Sequence, residues 1–171
     1  MADRLSLREI EGFGLATVMA RKGIDAATIG DALGCPAPAG PETATAGSLR
    51  MIGTGPGTWL ALQTSAKPSW SGFISARLSG LASISDQSGG YALYRIEGPQ
   101  ARDLLQRGAF IDLDPAIFGP NTVATTMIAH IGVILWRAGD DAFDIALFRS
   151  FASSFKTWFA DTAATFPSPS Y

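Results

Sequence analysis

Residues 137–148 read RAGDDAFDIALF, a short polar turn followed by strict alternation. Phe143, Ile145 and Leu147 fall on one face of an extended segment, and Asp144, Ala146 and Phe148 fall on the other. A glycine and two aspartates between apolar runs form a hairpin connection, so the segment before Arg137 folds back against the one after it. That hairpin commits the chain to an antiparallel sheet, and the remaining elements have to be arranged around it.

Strand and helix patterns alternate upstream of the hairpin. FGLATVMA (13–20) is an apolar run ended by Arg21-Lys22-Gly23 and predicts a strand. In IDAATIGDALG, Ile24, Ala27 or Thr28, and Leu33 recur at loose helical intervals, with Gly34 as a C-terminal stop. Gly30 weakens that helix by up to about 1 kcal/mol relative to alanine. CPAPAGPETATAGS (35–48) holds three prolines without periodicity and predicts a loop across the surface. SLRMIG predicts a short strand, and residues 58–62 a short helix. WSGFISARLSGLA (70–82) predicts a helix with Phe73, Ile74, Leu78 and Leu81 on one stripe, followed by a short extended piece, SIS. A strand at 91–97 and a helix at 99–107 come next, then a loop at 110–121. TVATTMIAHIGVILWR (122–137) predicts one β-branched strand, in which Gly132 marks a bulge or a close backbone approach. The last helix carries Phe151, Phe155, Trp158 and Phe159 on a stripe, with Ser150 positioned to cap it. These elements predict an α+β fold, a mixed or antiparallel sheet with helices packed on it. The expected organisation is a single domain over 1–171, with the proline-rich loop at 35–48 and a flexible tail at 166–171.

Two Gly-Pro corners, Gly55-Pro56 and Gly98-Pro99, have similar flanks and suggest a repeated strand-to-helix turn. Proline suits the first position of a helix, because its φ is preset and its missing N–H would be an orphan there. A phosphate-binding reading fails on the residues. Thr58 stands where the last glycine of a dinucleotide fingerprint belongs, no acid follows at ribose-binding distance, and Pro56 removes an N–H from the cradle. The corners are read as scaffold.

Candidates for chemistry are few. His130 is the only histidine and sits in an apolar context, which favours a structural side chain over a catalyst. Asp112 and Asp114 beside Pro115 suit a turn better than an acid–base pair, and Asp140-Asp141 suit a solvated connection. Cys35, the only cysteine, cannot form an internal disulfide and has no base beside it in sequence, which fits a reducing compartment. No zinc-ligand spacing, nucleophile elbow or phosphate loop is present. A net charge of −2 gives nucleic acid no electrostatic footprint. No apolar run approaches the ~20 residues of a membrane span, and the charged start MADRLSLREIEG is unlike a secretory signal. These readings place the protein in the cytoplasm, without nucleic acid or membrane as partners. Charged residues make up 16% of the chain, against about 25% in typical domains. A weakly charged surface suits a subunit partly covered by other chains, although an Ala- and Gly-rich composition accounts for the same figure. Trp59, Trp70, Arg149 and Phe151 stand at element ends and are candidate partner-interface residues; for the two tryptophans, core membership is the competing reading.

An ordered set of motifs runs through residues 86–155. It comprises Gly-Pro-x-Ala at 98–101, Gly-x-x-x-Asp-Leu at 108–113, Ala-x-Thr at 124–126, Leu-x-Arg at 135–137 and Phe-Arg-Ser-Phe-Ala at 148–152. With GLATVMARKG (14–23) and GPGTWLAL (55–62), this set resembles the γ subunits of heterotetrameric sarcosine oxidases, a family similar in fold to the N-terminal part of the glycine-cleavage T-protein. The resemblance implies a non-catalytic γ subunit, with α, β and δ subunits as partners. It also implies that FAD, FMN, NAD, zinc and tetrahydrofolate lie in those partners and none in this chain. The implied reaction is oxidative demethylation of sarcosine to glycine, with one-carbon transfer to tetrahydrofolate and formation of hydrogen peroxide. Two alternatives remain at this level: a γ subunit of N-methylglutamate dehydrogenase, and a free-standing folate-binding, aminomethyltransferase-like protein.

Overall fold

The computed structural model describes residues 5–166. Its elements run β1 (Ser6–Ile10), β2 (Gly14–Ala20), α1 (Ala26–Leu33), β3 (Thr43–Ala46), β4 (Leu49–Gly55), β5 (Thr58–Gln63), α2 (Trp70–Arg77) and β6 (Ala82–Asp86). They continue with β7 (Tyr91–Glu97), α3 (Ala101–Gln106), β8 (Val123–Ile128), β9 (Ile131–Gly139), β10 (Ala142–Phe148), a 3₁₀ turn (Arg149–Phe151) and α4 (Ala152–Ala163). The strands form two antiparallel sheets. Sheet I has the order β1-β7-β10-β9-β8 and sheet II the order β3-β4-β5-β2-β6. The fold is α+β, as expected, but with two sheets where the sequence suggested one.

Residue parity explains the layering. Along β10, Phe143, Ile145 and Leu147 pack with Leu104, Leu105, Phe155 and Phe159 of α3 and α4, while Ala146 faces the other way. On β5, Trp59 and Ala61 pack with Ile29, Trp70 and Ile74 of α1 and α2, while Leu60 and Leu62 face inward. The inward sets of both sheets meet in a third core, which contains Leu15, Ile52, Leu93, Val123, Ile134 and Trp136. Each sheet thus lies between a helical layer and the other sheet. Apolar surface on both faces of a strand requires cover on both sides.

The double burial also explains where local patterns mislead. Residues 58–62 are strand, and the first Gly-Pro corner is a hairpin turn. Thr58 pairs with Gly55, and Gly57 takes the left-handed conformation (φ 62°) that favours glycine after proline in a turn. An apolar run buried on both faces has the same periodicity in a strand as in a core helix. The second corner does lead into a helix, with the Ala101 N–H donating to Gly98 O, so the two corners are not a structural repeat. Residues 122–137 are two strands, joined at Ala129-His130. Both residues have positive φ (50° and 64°), so the turn is a tight two-residue hairpin without glycine. Gly132 lies in regular pairing with Met127, not in a bulge. Ser150 makes no capping bond; α4 is entered through the 3₁₀ turn. The helix expected over 70–82 ends at Arg77; Ile74 and the C-cap residue Leu78 are buried but Phe73 is exposed. The 91–97 strand and the 110–121 connection match the sequence reading, and the 99–107 helix is realised as the shorter α3. Residues 167–171 of the expected tail lie outside the described residues. Phe166 is held beneath the Arg107 guanidinium, 4.1 Å from its ring centroid.

The proline-rich segment is an irregular, mostly exposed loop over residues 36–42, as expected, and departs from that reading after it. It contains β3, and the Pro38 carbonyl accepts from the Trp59 indole at 2.8 Å. Its middle, just before β3, reaches sheet I. The Thr43 N–H donates to Asn121 O, and the Val123 N–H to Pro41 O, both at 2.8 Å. The crossing is possible because Gly53 has no side chain. A Cβ there would lie 2.1 Å from Gly40 O. Gly53→Ala is therefore expected to displace the crossing and to cost about 2–3 kcal/mol, the upper range of overpacking; a lowered urea midpoint with unchanged m-value is the check. At α1, Asp25 accepts from the Thr28 N–H and hydroxyl, and these bonds hold its carboxyl below the ordinary aspartate range. A carboxyl lowered on folding stabilises above its unfolded pKa, and that contribution is lost as pH falls through the folded value. Asp25→Ala should lower the Tm at pH 7, with the difference from the parent narrowing below about pH 3.9.

Candidate functional site

The candidate interface residues separate on inspection. Trp59 and Trp70 are 2% and 8% exposed and lie in the core between sheet II and its helices. This corrects their reading as anchors, because neither indole has a free face. Gly14 is part of the reason, since a Cβ on it would lie 2.4 Å from the Trp70 ring. Arg149 is exposed but engaged. Its Nε donates to Gly89 O at 3.1 Å and its Nη2 to Tyr91 O at 2.6 Å, clamping the turn into β7. Phe151 is 46% exposed at the entry to α4.

The other chemical candidates are structural in the geometry shown. The Asp112 and Asp114 carboxylates accept from the N–H groups of Asp114 and Ala116, which are turn contacts. The His130 ring stands edge-on to Phe110 at 5.7 Å, in the hairpin turn and not in a strand. Cys35 is buried, and burial pushes its thiol pKa up, away from thiolate chemistry. Among the described residues, no group of three or more His, Cys, Asp or Glu side chains is arranged to hold a metal ion. Among the same residues no helix is long and apolar enough to cross a membrane.

Two features of the inter-sheet face remain. The first is an apolar strip at one end of sheet I. In register, Met127 pairs with Gly132, and Phe148 pairs with Tyr91, all on the face that elsewhere meets sheet II. Met127 and Phe148 are 44% and 53% exposed, and Phe148 packs on Tyr91 with ring centroids 4.9 Å apart. A groove beside Phe148 and Tyr91 is lined by Thr125, Ile134, Ala146 and the bare backbone of Gly132, where a Cβ would meet nothing within 4 Å. Periodicity gave no sign of this strip, because its residues have the same pattern as those covered by sheet II.

The second feature is a charged cleft farther along the same face. Asp144, 2% exposed, accepts two bonds from Arg95, Nε at 2.7 Å and Nη2 at 2.8 Å. Arg50 of sheet II reaches the same carboxylate at 3.7 Å, so the cluster ties the two sheets together. The Asp144 bond holds the Arg95 guanidinium pKa above its usual value. Sequence reading placed Asp144 on the correct face of β10 but could not foresee its partners, which are 49 and 94 residues away. Asp144→Ala leaves two guanidinium groups without their carboxylate. It should cost about 3 kcal/mol, the lower end for breaking a buried pair because both arginines keep some water; thermal unfolding of the variant measures it.

Two sheets with outer helices define the class of fold. The solved structure of glycine cleavage system aminomethyltransferase T from Bartonella henselae shares it, with a TM-score of 0.67 over 91% of this chain and 45% of that one, at 14% identity. The family is narrower. The family model described as sarcosine oxidase, gamma subunit family matches residues 23–165, and the chain belongs to that family. The sarcosine oxidase subunit gamma of Corynebacterium sp. (strain U-96) is 28% identical over 166 residues, covering 95% of this chain and 80% of the relative. That of Corynebacterium sp. (strain P-1) is 26% identical, covering 98% and 84%. A chain of the heterotetrameric sarcosine oxidase from Corynebacterium sp. U-96, solved in complex with pyrrole 2-carboxylate, superposes with a TM-score of 0.88. That match spans 100% of this chain and 90% of the other, at 27% identity.

Proposed function

We propose that this chain is the γ subunit of a heterotetrameric sarcosine oxidase and acts there as a structural component, with α, β and δ subunits as its partners. The observation that carries the reading is the full-length match to a chain of such a heterotetramer, together with membership of the γ family. In this reading the chain is one domain and the complex is cytoplasmic. The amine is oxidised, and the one-carbon unit handed to tetrahydrofolate, in partner subunits that hold FAD, FMN, NAD and zinc. The γ chain supplies a folded surface for those subunits.

The apolar strip of Met127, Gly132, Phe148 and Tyr91 is the part of that surface a partner subunit covers, and exposed Phe151 remains a second candidate contact. Exposed aromatic and Met side chains around a small-residue gap suit an interface core. Phe148→Glu puts a charge there without disturbing the inner core. Co-purification from cells expressing all four subunits should weaken by at least roughly tenfold, the scale of a lost interface anchor. Its Tm measured on the unassembled chain should stay close to that of the parent. Unchanged assembly with Phe148→Glu would remove the strip from the interface. Failure of the parent chain to assemble with flavin-containing subunits at all would remove the γ-subunit reading.

A further inference from the structure

The Asp144 cleft holds more positive charge than its own chemistry requires. Register places Arg8 of β1 directly opposite Arg95 of β7, and Arg95 directly opposite Asp144 of β10, so three charged side chains form one row on the inter-sheet face. Arg50 approaches from sheet II, oriented by a 3.0 Å bond from its Nε to Thr45 Oγ1. Arg8, Arg50 and Arg95 line one cavity of about 280 Å³ together with a single carboxylate, Asp144. Arg95 uses its Nε and Nη2 on that carboxylate, and Arg50 meets it only at 3.7 Å. Among the described residues Arg8 makes no ion pair. Like charges directly opposite on neighbouring strands are destabilising, and nothing in the packing requires a guanidinium at position 8. Thr45 and Ser48 line the same cavity with hydroxyl groups, the Thr64 hydroxyl donates to Ser48 O, and Ile10 and Leu62 add an apolar wall.

We infer that this cleft is a binding site for a small oxyanion, a carboxylate or a phosphate, held by Arg8 and Arg50 with the Arg95–Asp144 pair as a fixed floor. Planar guanidinium forks match the two-oxygen edge of either anion, and hydroxyl groups complete such a shell. The volume lies just below the usual range for drug-sized ligands, so the ligand has few non-hydrogen atoms. Asp144 sets the specificity. It neutralises one arginine and repels an anion from the deepest point, leaving the outer two guanidinium groups to grip. The inference is independent of which complex the chain joins.

Phenylglyoxal modification of the full-length protein, assembled and unassembled, tests it, with each arginine read by peptide mass spectrometry. The probes are malonate and inorganic phosphate, each compared with chloride at equal ionic strength. Malonate, phosphate or both should slow modification of Arg8 and Arg50 several-fold and saturably, with Arg102 unaffected as an exposed reference. The anion that protects identifies the ligand chemistry. Arg8→Gln should reduce the protection at Arg50, because the two share one ligand, while the far-ultraviolet circular dichroism stays that of the parent. Equal modification in all three salts overturns the inference, as does protection of Arg102 to the same degree. Anion-independent protection of Arg8 and Arg50 found only in the assembled complex also overturns it, by giving the cleft to an acidic side chain of another subunit.

Discussion

The central strands of both sheets have little water on either face, and the rest of the molecule follows from covering them. Over Phe143–Leu147 of β10 every residue is buried, one parity under α3 and α4 and the other against sheet II. Strand β5 repeats the situation in sheet II between Trp59 and Leu62. A strand apolar on both faces cannot sit at a surface, so each sheet needs a helical layer outside and its counterpart inside. Even a six-residue helix gives such cover: α3 buries Ala101, Leu104 and Leu105.

Polar groups inside such a stack have to be accounted for one by one. Asp144 is the case that matters most, a carboxylate on the inner face of a central strand. It is tolerated because Arg95 meets it with two bonds and Arg50 meets it from the facing sheet. The proline-rich crossing makes the other connection between the sheets, through backbone groups of residues 41–43 and 121–123. These two joints add polar links to the shared apolar core between the sheets. The arginine cleft lies where both sheets contribute side chains, whereas Met127 and Phe148 at the other end of sheet I are exposed.

The solitary histidine stands in a turn against Phe110, and the one cysteine is buried, which raises its thiol pKa. The exposed apolar side chains that remain on the inter-sheet face, Met127 and Phe148, lie at one end of sheet I.

Amino-acid order alone determined the local geometry wherever period, turn residues or caps act within a few positions. The β10 alternation, the 91–97 strand, the helix that ends at Gly34 (φ 68°) and the turn-forming Asp112 and Asp114 are all legible that way, because period and capping chemistry act over a few residues. The ordered motifs also carried the family resemblance. Only the tertiary structure decided the state of TWLALQ, the hairpin at Ala129-His130, the burial of Trp59 and Trp70, and the gathering of Arg8, Arg50 and Arg95 around Asp144. Each of those depends on groups distant in sequence that supply a second face, a backbone partner or a counter-charge, and no local pattern encodes which distant group arrives.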